Sequence, residues 1–177
     1  MLIMAWLGIK LKAQPILKPL ICHGPYIMVQ GYMDQNYVDY NYAKIQALRS
    51  LCDFPIWPGE PIGFMTHTEE KVQSATATAF HVALCASLGL DAVTVASTDE
   101  AFSQGPITSS ARISSLKAIQ ESFRSLGNGS ISPSPQAHIW QDQIIDGILD
   151  TLKKVSESPS FVEALYQGIL GSKEDGV

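Results

Sequence analysis

The stretch DAVTVASTDEAF, Asp91 to Phe102, changes its chemistry halfway along. Ala92-Val93-Thr94-Val95-Ala96 is apolar and β-branched, the composition of a strand covered on both faces. Ser97, Thr98, Asp99 and Glu100, which follow, are small, polar and acidic. In parallel α/β architectures the loops converge beyond the carboxyl ends of the strands, and side chains leave the core there. The reading therefore puts these four residues at the mouth of a site. The alternative for Asp99 and Glu100 is a solvated role as first-turn acids before a helix.

Working outward, two more strand-like runs precede this one, Tyr26-Ile27-Met28-Val29 and Ile62-Gly63-Phe64-Met65. Between the three lie Tyr37 to Cys52 and Glu69 to Leu88, both with apolar residues at helical spacings of three and four. The second of these helices carries its own punctuation: Thr68 as N-cap, Glu69 and Glu70 at the positive end of the dipole, and Gly89 to close it. Gly105-Pro106 forces a turn, Thr108 can cap the next helix, and that helix runs to Leu126 before the breaker stretch GNGSISPSP. Gln136 to Ser156 and Pro159 to Leu170 form a helical tail. Alternating β and α units predict a parallel sheet, doubly wound or a (β/α)8 barrel. A complete barrel takes roughly 250 residues, so the expectation for this chain is α/β: a partial (β/α)8 barrel of three to four units over residues 1–127, with a helical extension over 128–177.

The chain has 177 residues, 46% of them hydrophobic and 16% charged, which is the composition of an ordinary globular protein. Its net charge is −5, and its twelve Lys and Arg never form a run longer than Lys153-Lys154. Nucleic acid is thereby an unfavoured partner. Cys22, Cys52 and Cys85 form no C-x-x-C pair and are read as reduced, buried thiols of a cytoplasmic protein. The N-terminal run MLIMAWLGIKLKAQ has no cations before its apolar stretch and no A-x-A site after it, so it is not read as an export signal. It is also too short to span a bilayer, and no membrane partner is expected. A P-loop, a dinucleotide fingerprint, a G-x-S-x-G elbow and H-E-x-x-H are all missing from the sequence.

Other candidates come from the same strand-end logic. Met65, Thr66 and His67 follow the second strand, and Gln30, Gly31 and Tyr32 the first. His67 has the chemistry of an acid or base, set against a structural role. His81, mid-helix among apolar residues, reads as a hydrogen-bonded core histidine, and His138 lies near a helix start.

From Glu60 to about Gln120 the order of features resembles the large barrel subunit of the adenosylcobalamin-dependent glutamate (methylaspartate) mutases. The matching segments are WPGEPIGF (Trp57 to Phe64), Glu69-Glu70, the Ala/Thr-rich helix ending at Gly89, AVTV, and STDEA followed by Gly105-Pro106-Ile107-Thr108. GYMDQN (Gly31 to Asn36) and ALRSL (Ala47 to Leu51) also resemble family segments. The resemblance implies an isomerase component with adenosylcobalamin as cofactor and Glu100 on the adenosyl ribose. A carboxylate suits that task because its oxygens accept from both hydroxyls of a cis diol. Cofactor contact is extended to Ser97, Thr98, Asp99, Phe64 and His67. The family's lysine four residues before the glutamate is Ala96 here, and the segments that grip the amino-acid substrate are missing. No D-x-H-x-x-G is present, so cobalt ligation is expected from a small cobalamin-binding subunit. A second copy or a chain supplying the other barrel half is the further partner expected. The alternative is a non-catalytic nucleoside- or sugar-binding or assembly protein, a truncated relative of the mutase.

Overall fold

The computed structural model describes residues 1–17, 19, 32–59, 71–95 and 108–171. Six helices fall within them: α1 (Leu2–Lys10), α2 (Tyr32–Leu51), α3 (Lys71–Ser87), α4 (Ser109–Leu126), α5 (Pro135–Glu157) and α6 (Phe161–Tyr166). They group into two compact units, one of Met1–Cys22 and Phe54–Ser132, the other of His23–Asp53 and Pro133–Val177.

The first unit has an extended core framed by helices. Leu17 bridges Ile56, and Gly59 bridges Thr94, both in parallel. The Leu17 N–H donates to the Pro55 carbonyl and the Trp57 N–H to the Leu17 carbonyl, each at 2.8 Å. Gly59 donates to Pro19 at 3.1 Å, and Thr94 to Pro58 at 2.9 Å. Asp91 adds a side-chain link, its carboxylate accepting from the Ile56 N–H at 3.0 Å. Leu17, Ile56 and Pro58 are fully buried, and the face of α3 that carries Thr78, His81, Val82, Leu84 and Cys85 is buried with them.

These contacts correct the α/β expectation. The described residues form no barrel and no sheet, only two isolated bridges, and the protein is mostly helical. The physical reason is in the extended segments themselves. Pro15 and Pro19 flank Leu17, and Pro55 and Pro58 flank Ile56 and Trp57. Proline has no N–H to give a ladder, so Pro19, Pro55 and Pro58 enter the pairing only as acceptors, their carbonyls taking the N–H groups of Gly59, Leu17 and Thr94. Of the three expected strands, Tyr26–Val29 and Ile62–Met65 lie outside the described residues, and Ala92–Ala96 contributes the single bridge at Thr94.

Helix α3 packs on α4 through small side chains. Ala111, Ser115 and Ser122 are the buried face of α4, and the Ser122 hydroxyl donates to the Ala79 carbonyl of α3 at 2.7 Å. Ser87 at the end of α3 accepts the Ile131 N–H at 2.7 Å, tying down the chain after α4. The expected caps are seen at Thr108 and Gly89, while Thr68, Glu69 and Glu70 lie outside the described residues. Thr108 is the N-cap of α4, accepting from the Ala111 N–H at 3.2 Å. Gly89, at φ +59°, closes α3 with Leu90 donating to Cys85 and Gly89 to Ala86, the paired bonds of a Schellman turn.

In the second unit α2 lies on α5, and α6 on α5. Helix α2 leaves helical geometry at Asn36 (φ −137°, ψ 34°). Beyond that point Asn41, Ala43, Ile45, Ala47 and Leu48 are buried. Tyr40 meets Trp140 edge to face with ring centroids 5.8 Å apart, and Tyr42 meets His138 at 5.7 Å. The start of α5 is held by Asp39 of α2, whose carboxylate accepts both the N–H (2.7 Å) and the hydroxyl of the N-cap Ser134. Pro135 follows at the first helical position, where a missing N–H is harmless.

Candidate functional site

All six residues assigned to cofactor contact, Phe64, His67, Ser97, Thr98, Asp99 and Glu100, lie outside the described residues, as does Ala96. The structure does describe the segments from which they continue. Because both bridges are parallel, the chain runs in one direction through Leu17, through Ile56–Gly59 and through Thr94. In the sequence, 20–31, 60–70 and 96–107 follow these three segments; Phe64 and His67 belong to the second of these stretches and Ser97 to Glu100 to the third.

A cavity of about 340 Å³ lies in the groove between α3 and α4, lined by Thr76, Ala79, Phe80, Ala83, Glu121 and Ser122 with the end of α4 and Ile131. Its polar groups are already engaged. The Ser122 hydroxyl is shared between the Ala79 and Ala118 carbonyls. Glu121 is bound to Arg124 at 2.6 Å, and this hydrogen bond from the guanidinium holds its carboxyl below the usual carboxylate range. A lowered folded-state pKa means that any stabilisation from the pair is present above the ordinary carboxyl pKa and fades as pH falls through the lowered one. Both partners are exposed, so the contribution is small. The groove is a packing seam with no converging polar groups to do chemistry.

A nucleophilic and a basic group meet on α3. The Cys85 sulfur lies 3.8 and 3.9 Å from the two ring nitrogens of His81, one helical turn away. Both side chains are buried, as expected of a core histidine and a structural thiol, and Cys52, the other free thiol described, is half-buried. A thiol without solvent access beside a buried imidazole is a packed pair, not a working nucleophile. His138 is exposed at the start of α5, against Tyr42. Among the described residues no three His, Cys, Asp or Glu side chains converge on a metal position. No described helix is long and apolar enough to cross a membrane.

The sequence reading missed two polar contacts that organise the chain, Asp91 on Ile56 and Asp39 on Ser134. The signal for the second was available in Ser134-Pro135, an N-cap followed by the first-turn proline. Its partner, 95 residues away in sequence, was not legible. No protein family model, no curated protein and no solved structure matches this chain.

Proposed function

We propose that this chain is a component of an adenosylcobalamin-dependent carbon-skeleton isomerase resembling the glutamate (methylaspartate) mutases, contributing the residues that meet the adenosyl group. The order of segments from Glu60 to Gln120 supports this reading. The observation that carries it is in the sequence, where Ser97-Thr98-Asp99-Glu100 directly follows the apolar run Ala92 to Ala96. The cofactor supplies radical chemistry by homolysis of its cobalt–carbon bond. In this reading the part played by the chain is to accept hydrogen bonds from the ribose diol at the Glu100 carboxylate, with Ser97, Thr98 and Asp99 beside it. Cobalt ligation belongs to a small D-x-H-x-x-G subunit, the amino-acid substrate is gripped by a further chain or a second copy, and the compartment is the cytoplasm.

A second reading is favoured by one specific residue. Ala96 stands where the family has a ribose-directed lysine, so half of the clamp is missing. The chain is then a non-catalytic nucleoside- or sugar-binding relative, or an assembly partner. Calorimetric titration with adenosylcobalamin, with and without the small subunit, separates the two. For a working component, binding appears with the small subunit and falls about tenfold or more in Glu100→Gln, the loss of one charge-assisted hydrogen bond of about 1.5–3 kcal/mol. Binding of adenosine alone, unaffected by the small subunit, selects the second reading. No binding of either ligand removes both.

A further inference from the structure

Helix α1 is apolar all round, LIMAWLGIK, yet it buries only Leu2 and Ala5. Met4, Trp6, Leu7 and Ile9 stand 60%, 38%, 48% and 46% exposed, and Leu11 just beyond the helix 75%. A helix without a polar face is stable in water only when something covers it. At nine residues it is about 14 Å long, half the thickness of a hydrocarbon core, so it can lie in a bilayer surface but not cross it.

The charge around it identifies the cover. Lys10 and Lys12 close the helix, and the first acidic residue of the chain is Asp34, although the whole chain carries −5. Along the sequence, the segment that bears the apolar helix is thus cationic in an acidic protein. Apart from the Trp6 indole, the helix has no hydrogen-bonding side chain before Lys10. A protein interface carries about one hydrogen bond per 100–200 Å² and a polar rim. A lipid surface requires only apolar depth, an indole at headgroup level and cations to meet phosphate. The other exposed apolar stripe of this unit, Ile113, Leu116 and Phe123 on α4, differs in being interleaved with Arg112, Lys117, Glu121 and Arg124, charges of both signs.

We infer that α1 is an interfacial anchor that lays Met4, Trp6, Leu7 and Leu11 into an anionic lipid surface, with Lys10 and Lys12 on the headgroups. The chain is a peripheral membrane protein through this helix, which departs from the sequence expectation of no membrane partner. The test is co-sedimentation of the full chain with vesicles of mixed phosphatidylglycerol and phosphatidylcholine, against vesicles of phosphatidylcholine alone. The expected result is binding to the anionic vesicles, reduced at least tenfold in Leu7→Glu, weakened several-fold in Lys10→Glu and by added salt, with circular dichroism unchanged in both variants. Tryptophan fluorescence shifts to the blue on binding, and the shift disappears in Trp6→Phe while sedimentation persists. Three outcomes overturn the inference: no binding to anionic vesicles, binding indifferent to Leu7→Glu, or a blue shift that survives Trp6→Phe. Concentration-dependent self-association abolished by Leu7→Glu, with no vesicle binding, would assign the face to a second copy instead.

Discussion

Lys12 holds a left-handed conformation, φ +63°, the one positive φ outside glycine among the described residues. It closes α1: Ala13 donates to Gly8 and Lys12 to Ile9, the same bond pair that Gly89 makes at the end of α3. A side chain with a Cβ is strained there by about 1–2 kcal/mol, and glycine is not. Lys12→Gly is therefore expected to raise stability by about 1 kcal/mol, read as a higher midpoint in urea denaturation at unchanged slope. Asn41 is a second residue at odds with its surroundings. It is 1% exposed; its amide donates to the Tyr37 carbonyl at 2.8 Å, while its own Oδ1 has no partner. At this scale the sequence was legible wherever the rule is local. Thr108, Gly89 and the core placement of His81 follow from position in a helix, whereas the strain at Lys12 does not, because nothing in GIKLKA marks a helix end.

At the scale of elements, the starts of α4, α5 and α6 are each set by a hydroxyl N-cap, Thr108, Ser134 and Ser160. Ser134 differs in being held from outside its own helix, by Asp39 of α2. Asp39→Ala leaves the cap oxygen free to accept from Gln136 but removes what fixes it. The expected cost is about 1 kcal/mol, with faster hydrogen exchange confined to the first turn of α5. Four of the expected helices, Tyr37 to Cys52, Glu69 to Leu88, Thr108 to Leu126 and Gln136 to Ser156, correspond to α2, α3, α4 and α5 to within a few residues at each end. The last, Pro159 to Leu170, is shorter, ending at Tyr166 in a turn closed by Gly168. The barrel was misread because composition was weighed and hydrogen-bonding capacity was not. Leu17 and Ile56, which do form a bridge, sit between prolines and carry no β-branched run.

The whole molecule divides between two units, and the chain passes from one to the other at three places. Helices α3 and α4 pack in the first unit, and α2 and α5 in the second. Local stability is expected to follow this division. Ile45→Ala, a cavity in the second unit, should cost about 2–5 kcal/mol. It should also speed exchange of α2 and α5 amides while α3 and α4 keep their protection, a pattern native-state hydrogen exchange resolves directly. Uniform loss across all four helices would show a single cooperative unit instead. What the sequence determined by itself was α2 to α5 and the start of α6, since caps, helical spacing and glycine stops act over a few residues; α1 was not among the expected helices. It also fixed the chemistry available after Thr94, where STDE follows an apolar run. What only the tertiary structure decided was which helices pair, that α1 is left uncovered, and that the extended segments meet in isolated bridges rather than a barrel. Those outcomes depend on contacts between residues tens of positions apart and on backbone groups whose partners, or lack of them at Pro15, Pro19, Pro55 and Pro58, appear only once the segments lie side by side.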